Sequence, residues 1–340
     1  MTHTPLLRFP HPRASALALP LSLLFLLGAP ASASAEESRL LVGLQNDIFA
    51  GSDGGGYTNG IALAHLRNTS AGEAAIAPQP LLAPIASWLG VGPASLTVTS
   101  LNQLMVTPAD ITRKVPDPAD APYLGALWLR AAQVSVQGDV ADMLAVNIGM
   151  IGPASGARQS QRFIHRVTGS ERPEGWDYQV GNRPMIGIER YRAVRFASDH
   201  SADAKPGVDL IALGGVAWGN WQSSAGGSLL LRYGTGLQRS YPTTMRQTMR
   251  TGDPSVLGRG WFVYGGVHAD RMFSQMGIGD NRPVAASTAE LRETQVVAMA
   301  GLAYGWDHAS LSFSLQNGSA LTTASGRRKG YGSLTYTSRW

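Results

Sequence analysis

Apolar and polar residues alternate one by one along much of this chain, the period of a β-strand and not of a helix. The cleanest run is Ser310-Leu311-Ser312-Phe313-Ser314-Leu315-Gln316: one face is aliphatic or aromatic, and the other carries hydroxyls and an amide. The same alternation, less regular, runs through 60–66 and 229–233. Twelve segments read this way: 39–49, 57–67, 98–107, 122–136, 141–150, 183–196, 207–221, 225–237, 259–273, 291–306, 308–317 and 331–340. The pattern predicts an all-β fold. A sheet with one apolar and one polar face has two homes. It can pack on a core in a soluble sandwich, or close into a barrel with lipid outside and water inside.

Strand length and number favour the barrel. Several segments exceed the ~9–11 residues a tilted strand needs to cross a membrane. An even count closes without leaving an unpaired edge in lipid. The chain ends Tyr336-Thr337-Ser338-Arg339-Trp340, a last strand finishing on an aromatic residue, as bacterial outer-membrane barrels do. Composition agrees: 15% charged residues, 40 glycines, eight Trp, ten Tyr and no cysteine. Low charge and amphipathic aromatics suit a lipid-facing wall. A chain that crosses an oxidising periplasm avoids mispairing by having no thiols. A secreted β-sandwich is the competing class. No stretch after the N-terminus offers ~18 uninterrupted apolar residues, so no membrane-spanning helix is expected. Residues 1–35 read as a secretory signal. Arg8 and Arg13 precede an apolar run from 14 to 27, and Ala-x-Ala sites lie just before Glu36. Two units of the +5 formal charge leave with that signal. Residues 36–340 then form one domain, a transmembrane antiparallel β-barrel of about 12 strands.

An even strand count puts both termini in the periplasm. Segments 50–56, 108–121, 151–182 and 274–290 then face outward, and 68–97 and 197–206 inward. The stretch 84–89 is expected to form a short helix inside 68–97. Segment 238–258 also falls inward, and is long for a periplasmic turn. This topology gathers two polar clusters at the outer end. One is Gln45-Asn46-Asp47 with Tyr57-Thr58-Asn59-Gly60, facing each other across a Gly-rich loop, so that Asp47 and Thr58 come within reach. Read locally, it is first a hairpin rim in which Asn and Asp only form turns. The other is Gln159-Ser160-Gln161-Arg162-Phe163-Ile164-His165-Arg166. As a helix it sets Gln161 and His165 on one face at i, i+4, with Arg158, Arg162 and Arg166 one residue further round. Histidine is the side chain suited to take a proton from water at neutral pH. A glutamine can orient it or donate to an oxyanion, and arginines suit phosphate. The bland alternative is a basic helix that binds polyanions without chemistry. Trp176 reads as an interfacial anchor, His65 as structural at the inner end, and His268 and His308 have no evident partner. There is no Gly-x-Ser-x-Gly elbow and no His pair at helical spacing.

Several of these motifs together resemble a known family. Asn46-Asp47-x-Phe49-Ala50-Gly51-x-Asp53, then Tyr57-Thr58-Asn59-Gly60, are similar to the opening of the outer-membrane lipid A 3′-O-deacylases, the LpxR-like family. So are Gln103-x3-Thr107-Pro108 with Asp110, Pro122-Tyr123-x-Gly125, and Gly152-Pro153…Gln161-x3-His165…Gly175-Trp176-Asp177-x-Gln179. The resemblance implies a twelve-stranded barrel in the Gram-negative outer membrane. It also implies a calcium-dependent esterase that removes the 3′-linked acyloxyacyl group of lipid A. On this reading His165 is the base, Gln161 its helix neighbour, and Asn46, Asp47 and Thr58 the polar residues at the strand tops. Asp47 and Asn46 are the candidate calcium ligands. Arg162 and Arg166 are candidates for lipid A phosphate. The family's lysine in the second outer loop has Lys114 as its candidate. The chain departs from the family at Gly54-Gly55 and Ala121, where basic residues are frequent. A membrane-embedded monomer acting on lipopolysaccharide, with no nucleic-acid partner, is the resulting expectation. The rivals are a non-catalytic pore or structural barrel, and an esterase for another acyl position or for phospholipid.

Overall fold

A computed structural model describes residues 36–50, 56–69, 76–198, 205–248, 253–278, 288–324 and 328–340. The segment 1–35, expected to be a secretory signal, and most of the first Gly-rich loop lie outside these residues. Twelve antiparallel strands form one closed barrel. They are β1 (Glu36–Asn46), β2 (Gly56–Thr69), β3 (Leu96–Thr107), β4 (Leu124–Gln137), β5 (Val140–Ile151), β6 (Arg183–Ser198), β7 (Gly207–Gly219), β8 (Gln222–Gly234), β9 (Gly260–Gln275), β10 (Thr294–Gly305), β11 (Ala309–Gly318) and β12 (Lys329–Arg339). The last strand pairs with the first, from Arg39↔Arg339 to Asn46↔Gly332. Every strand therefore has two neighbours, and no row of backbone amides faces lipid unpaired.

The alternation read from the sequence is the alternation of the wall. Ser310, Ser312 and Ser314 are buried in the lumen, while Leu311 and Leu315 are exposed on the outside. Leu229, Leu231, Val263, Val267, Val296 and Leu302 extend that apolar band. At the end carrying the termini, Tyr233 meets Trp261, Tyr304 meets Trp306, and His65 stacks on Trp340 at 5.5 Å. This is the aromatic girdle of a membrane interface. No helix among the described residues is long and apolar enough to cross a membrane. Within 76–95 the expected short helix is present as α1 (Ala83–Trp88), with its proline in the first turn.

Two details depart from the expected boundaries. β1 stops at Asn46, and Asp47–Ala50 turns into a 3-10 helix. The turn is held because Phe49 lies on the outer face of β12, where a Cβ on Gly332 would sit 2.4 Å from that of Phe49, and edge-on to Phe313. The second is the long connection after β8, residues 235–259. It is no dangling turn. Its Leu237, Tyr241, Met245, Val256 and Leu257 are buried. Leu237, Tyr241, Met245 and Val256 join one apolar cluster with Leu41, Val98, Met143 and Phe262 from the lumen wall. The connection's described parts, 235–248 and 253–259, fold back into the barrel and fill its periplasmic half. Apolar burial drives this, at about 1.5–3 kcal/mol for each large side chain.

Polar contacts fix where the plug sits. Arg232 and Asp209 form a fully buried pair on the lumen wall, and Arg232 also donates to the Leu237 carbonyl. Tyr241 donates to the Asp139 carbonyl at 2.8 Å beneath the Arg195 guanidinium. Asp253 accepts from Ser314 Oγ at 2.8 Å. A barrel filled in this way should conduct poorly. Wild-type protein in planar bilayers is expected to show no steady single-channel current. A variant lacking residues 238–258, if inserted, is expected to show a clear rise; equal currents would refute the plug.

Candidate active site on the outer wall

The third outer connection leaves β5 through a forced reversal. Gly152 has φ +101°, and a Cβ there would lie 2.6 Å from the backbone of Gly181, so a side chain is excluded. A single 3-10 turn follows, then helix α2 (Ala157–Thr168). The helix ends at Gly169 in the left-handed conformation, and the Ser170 N–H bonds back to the His165 carbonyl at 3.0 Å. Its two faces differ sharply. Ala157, Gln161 and His165 are buried, at successive i, i+4 positions, while Phe163 and Val167 are exposed.

The buried stripe faces the sheet from outside. On β4, Ala126 and Trp128 belong to the buried inner face, so Gly125 and Leu129 point outward. A Cβ on Gly125 would fall 2.3 Å from that of Ala157 and 2.2 Å from Ser155 Oγ. The absent side chain is what lets α2 lie against the wall. Gln103 of β3 pins the approach by donating to the Ser155 carbonyl at 2.6 Å. Met105, Tyr123, Ala157 and Trp176 close into a buried cluster there.

His165 is held through one ring nitrogen. Its Nδ1 lies 2.5 Å from the Glu171 carbonyl oxygen. A carbonyl only accepts, so Nδ1 carries the proton and Nε2 is left as the basic nitrogen. Gln161, one turn back, accepts a 2.6 Å bond from the Trp176 indole at Oε1. That bond fixes the amide, and its Nε2 is buried without a partner. Trp176 is therefore not the interfacial anchor expected from the sequence. It is fully buried against Tyr123 at 4.9 Å, because its N–H is needed inside. Burial pushes the Tyr123 phenol up to about 12, and its hydroxyl donates to the Ile111 carbonyl. The Glu174 N–H bonds to the same carbonyl, which ties the second outer loop to the third. In that second loop, hydrogen bonds from the Thr112 hydroxyl and amide hold the Asp110 carboxyl below the usual range.

The other polar cluster lies on the same outer face. Gln45 points inward, where Tyr57 donates to it, so the adjacent Asn46 points outward. Asn46 lies between Asn59 of β2 and Gly332 of β12. Thr58 is the extra residue of a β-bulge, with Tyr57 opposite Val106 and Asn59 opposite Met105. Its hydroxyl meets that of Thr107 at 2.7 Å. Asp47 opens the 3-10 turn and is buried at 3% exposure. The outer rim of β1–β3 is thus flanked on the β12 side by this turn and on the β4 side by α2. Arg162 is half-buried, whereas Arg166 and Lys114 are exposed. Arg158 is taken by Asp177 at 2.7 Å.

No cluster of three or more His, Asp or Glu fit for a metal occurs among the described residues. Among the described residues, Asp47 brings a carboxylate to this rim beside the Asn46 amide. These are hard oxygen donors of the type calcium takes together with carbonyls and water. A second polar array was not legible in the sequence. His268, for which the sequence shows no partner, bonds to Ser228 at 2.6 Å and Asp270 at 2.7 Å. It faces the lumen, on the opposite side of the wall from α2. Asp270 two residues on was a visible signal; Ser228 is supplied only by the β8–β9 register.

Comparisons with known proteins agree with this architecture. The solved structure of LpxR from Salmonella typhimurium superposes with a TM-score of 0.71 at 17% identity, covering 88% of this chain and 99% of that one. The β domain of the Bordetella autotransporter Brka also matches, at a TM-score of 0.41 and 10% identity over 90% of this chain and 99% of that one. No curated protein matches the sequence. Residues 17–340 match the family described as outer membrane protein LpxR. With a closed twelve-stranded wall, a matching profile over nearly the whole length, and the same fold in a solved member, this chain belongs to the LpxR family of the Gram-negative outer membrane.

Proposed function

We propose that this protein is a lipid A deacylase that hydrolyses the 3′-linked acyloxyacyl ester from the outer surface of the membrane, with calcium as its cofactor. The observation that carries the reading is the docking of α2 on the outside of the wall. It presents His165 and Gln161 to the face that lipid covers, at the outer rim. A site in the lumen would be reached by water-soluble substrates, whereas this one is reached from the outer leaflet.

The chemistry follows from the held groups. His165 Nε2, the unprotonated nitrogen, takes a proton from water as its oxygen attacks the ester carbonyl. The protonated ring then passes that proton to the departing alkoxide as the C–O bond breaks. Gln161 Nε2, oriented by Trp176, donates to the carbonyl oxygen as charge develops on it. Asp47 and Asn46 are the groups that would hold calcium, which would supply positive charge to stabilise the developing oxyanion. Thr58, locked to Thr107, shapes the rim. Arg162 and Arg166, with Lys114 of the neighbouring loop, provide cations for the phosphates of the glycolipid. Phe163 and Val167 offer an apolar surface for acyl chains. The plug that fills the periplasmic half of the lumen argues against the pore alternative.

Mass spectrometry of lipid A from cells expressing the wild type should show loss of the 3′-acyloxyacyl mass. His165→Ala, at equal surface abundance, should lower the rate by roughly 10²–10⁴. Unchanged lipid A with wild-type protein at the surface would overturn the reading. Chelation with EDTA should abolish turnover and calcium should restore it, with Asp47→Asn raising the calcium requirement; activity indifferent to EDTA would remove calcium from the mechanism. Trp176→Phe keeps the ring packing but frees the Gln161 amide. It should cost about tenfold in kcat, equivalent to one hydrogen bond of about 1.4 kcal/mol, with little change in melting temperature.

A further inference from the structure

The connection between β2 and β3 does not hang in the periplasm. Its residues 76–95 climb the outside of the wall. Met143 and Ala145 of β5 belong to the lumen cluster, so Leu144 and Val146 point outward, with Ile188 of β6 beside Val146 in register. Leu82, Ala86 and Val91 of the connection form one apolar cluster with Leu144, and Val146 and Ile188 pack against it. Two polar side chains of the wall also point outward here, Thr99 and Gln133, since Val98 and Ala132 are lumen residues. Hydrocarbon would leave them without partners. The connection answers both: Gln79 donates to Thr99 Oγ1 at 2.7 Å, and the Gly92 carbonyl accepts from Gln133 Nε2 at 3.2 Å.

What the connection turns away from the wall is apolar. Trp88 is 83% exposed and Leu81 55%, among the exposed prolines Pro78, Pro80 and Pro84. No charged residue lies between Glu73 and Asp110. A connection surrounded by water has no reason to shed every charge and to hold out a tryptophan.

The place of this belt along the strands says what covers it. Towards the outer end, Leu129, Ile148 and Ile186 stand in register on the lipid-facing wall, each half exposed or more. Towards the periplasm, Asp142 accepts from Arg192 on the outside of the barrel at 2.9 and 3.0 Å, so the apolar wall has ended there. From Leu144 to Met150, the outward apolar run of β5 is about 20 Å long before tilt. The apolar band of an outer-membrane barrel is ~25 Å tall and takes in that whole run, including the part the belt covers. We infer that residues 76–95 dock in the periplasmic leaflet of the outer membrane, with Leu81 and Trp88 as the side chains that enter its phospholipid. The belt covers polar wall with its inner face and continues the lipid contact with its outer one, and tryptophan is suited to that boundary.

The chain has no cysteine, so a single introduced thiol reports alone. Trp88→Cys and Leu81→Cys, each carrying a nitroxide, are reconstituted in phosphatidylethanolamine–phosphatidylglycerol liposomes. EPR power saturation is read with oxygen, which concentrates in hydrocarbon, and with a neutral nickel chelate, which stays in water. Ile186→Cys marks the lipid-facing wall, and Lys205→Cys, exposed beside β7 at the periplasmic end, marks solvent. Heat-modifiable migration on gels checks that each variant is folded. The ratio of oxygen to nickel collisions at both belt sites should approach that of Ile186→Cys and exceed that of Lys205→Cys several-fold. A ratio equal to that of Lys205→Cys would place the belt in water and overturn the inference. Weak collision with both reagents would mean that protein covers the face, and dipolar broadening between labels would identify that protein as a second copy of this chain; either result would also overturn it.

Discussion

Backbone hydrogen bonding is the constraint from which the rest of this molecule follows. Inside a bilayer an unpaired amide or carbonyl has no water to turn to, so the sheet must close on itself, and β1 meets β12 to do so. Closure creates two surfaces that cannot be exchanged. One must be greasy, and the other encloses a volume that has to be filled or left wet. The strict alternation along β11 is the mark of that division, with serines at 0% exposure on one side and leucines against lipid on the other.

Both surfaces are then put to use. The lower lumen is filled from within by a returning loop, whose Tyr241 and Met245 take the part that core residues play in a soluble protein. The outer face, which elsewhere only has to be apolar, is cleared at Gly125 and cushioned by Met105 and Tyr123 so that a polar helix can dock on it. The helix brings its own support. Trp176 holds Gln161, the Glu171 carbonyl holds His165, and left-handed glycines set where the segment starts and stops. The pairing of a rigid wall with a self-supported helix gives the His165 ring a fixed bearing without a conventional protein core beneath it.

The strands were legible in the sequence because period-two alternation is a local property, and all twelve are present with ends within a few residues of those read. The Gln161–His165 face was legible for the same reason, since helical spacing is also local. What escaped was whatever register and tertiary contact decide. Ser228 meets His268 only because β8 and β9 are aligned as they are. Trp176 reads in the sequence as one more membrane aromatic, and only the fold gives its indole N–H to a buried amide. The 235–259 connection carried apolar residues that no periodic pattern would assign to a lumen. The early end of β1 depends on Phe49 finding Gly332 on the far side of the closure seam, a contact between opposite ends of the chain.

The seat of α2 on the outside of the wall has a consequence for traffic. Enzymes that cut lipids from a lumen or cleft must lift an acyl chain out of hydrocarbon and later let it go. A helix that meets the lipid where it already resides removes both journeys. If the proposed deacylation takes place there, the severed chain is released into the solvent it prefers, and the barrel needs neither a lateral gate nor an exit tunnel.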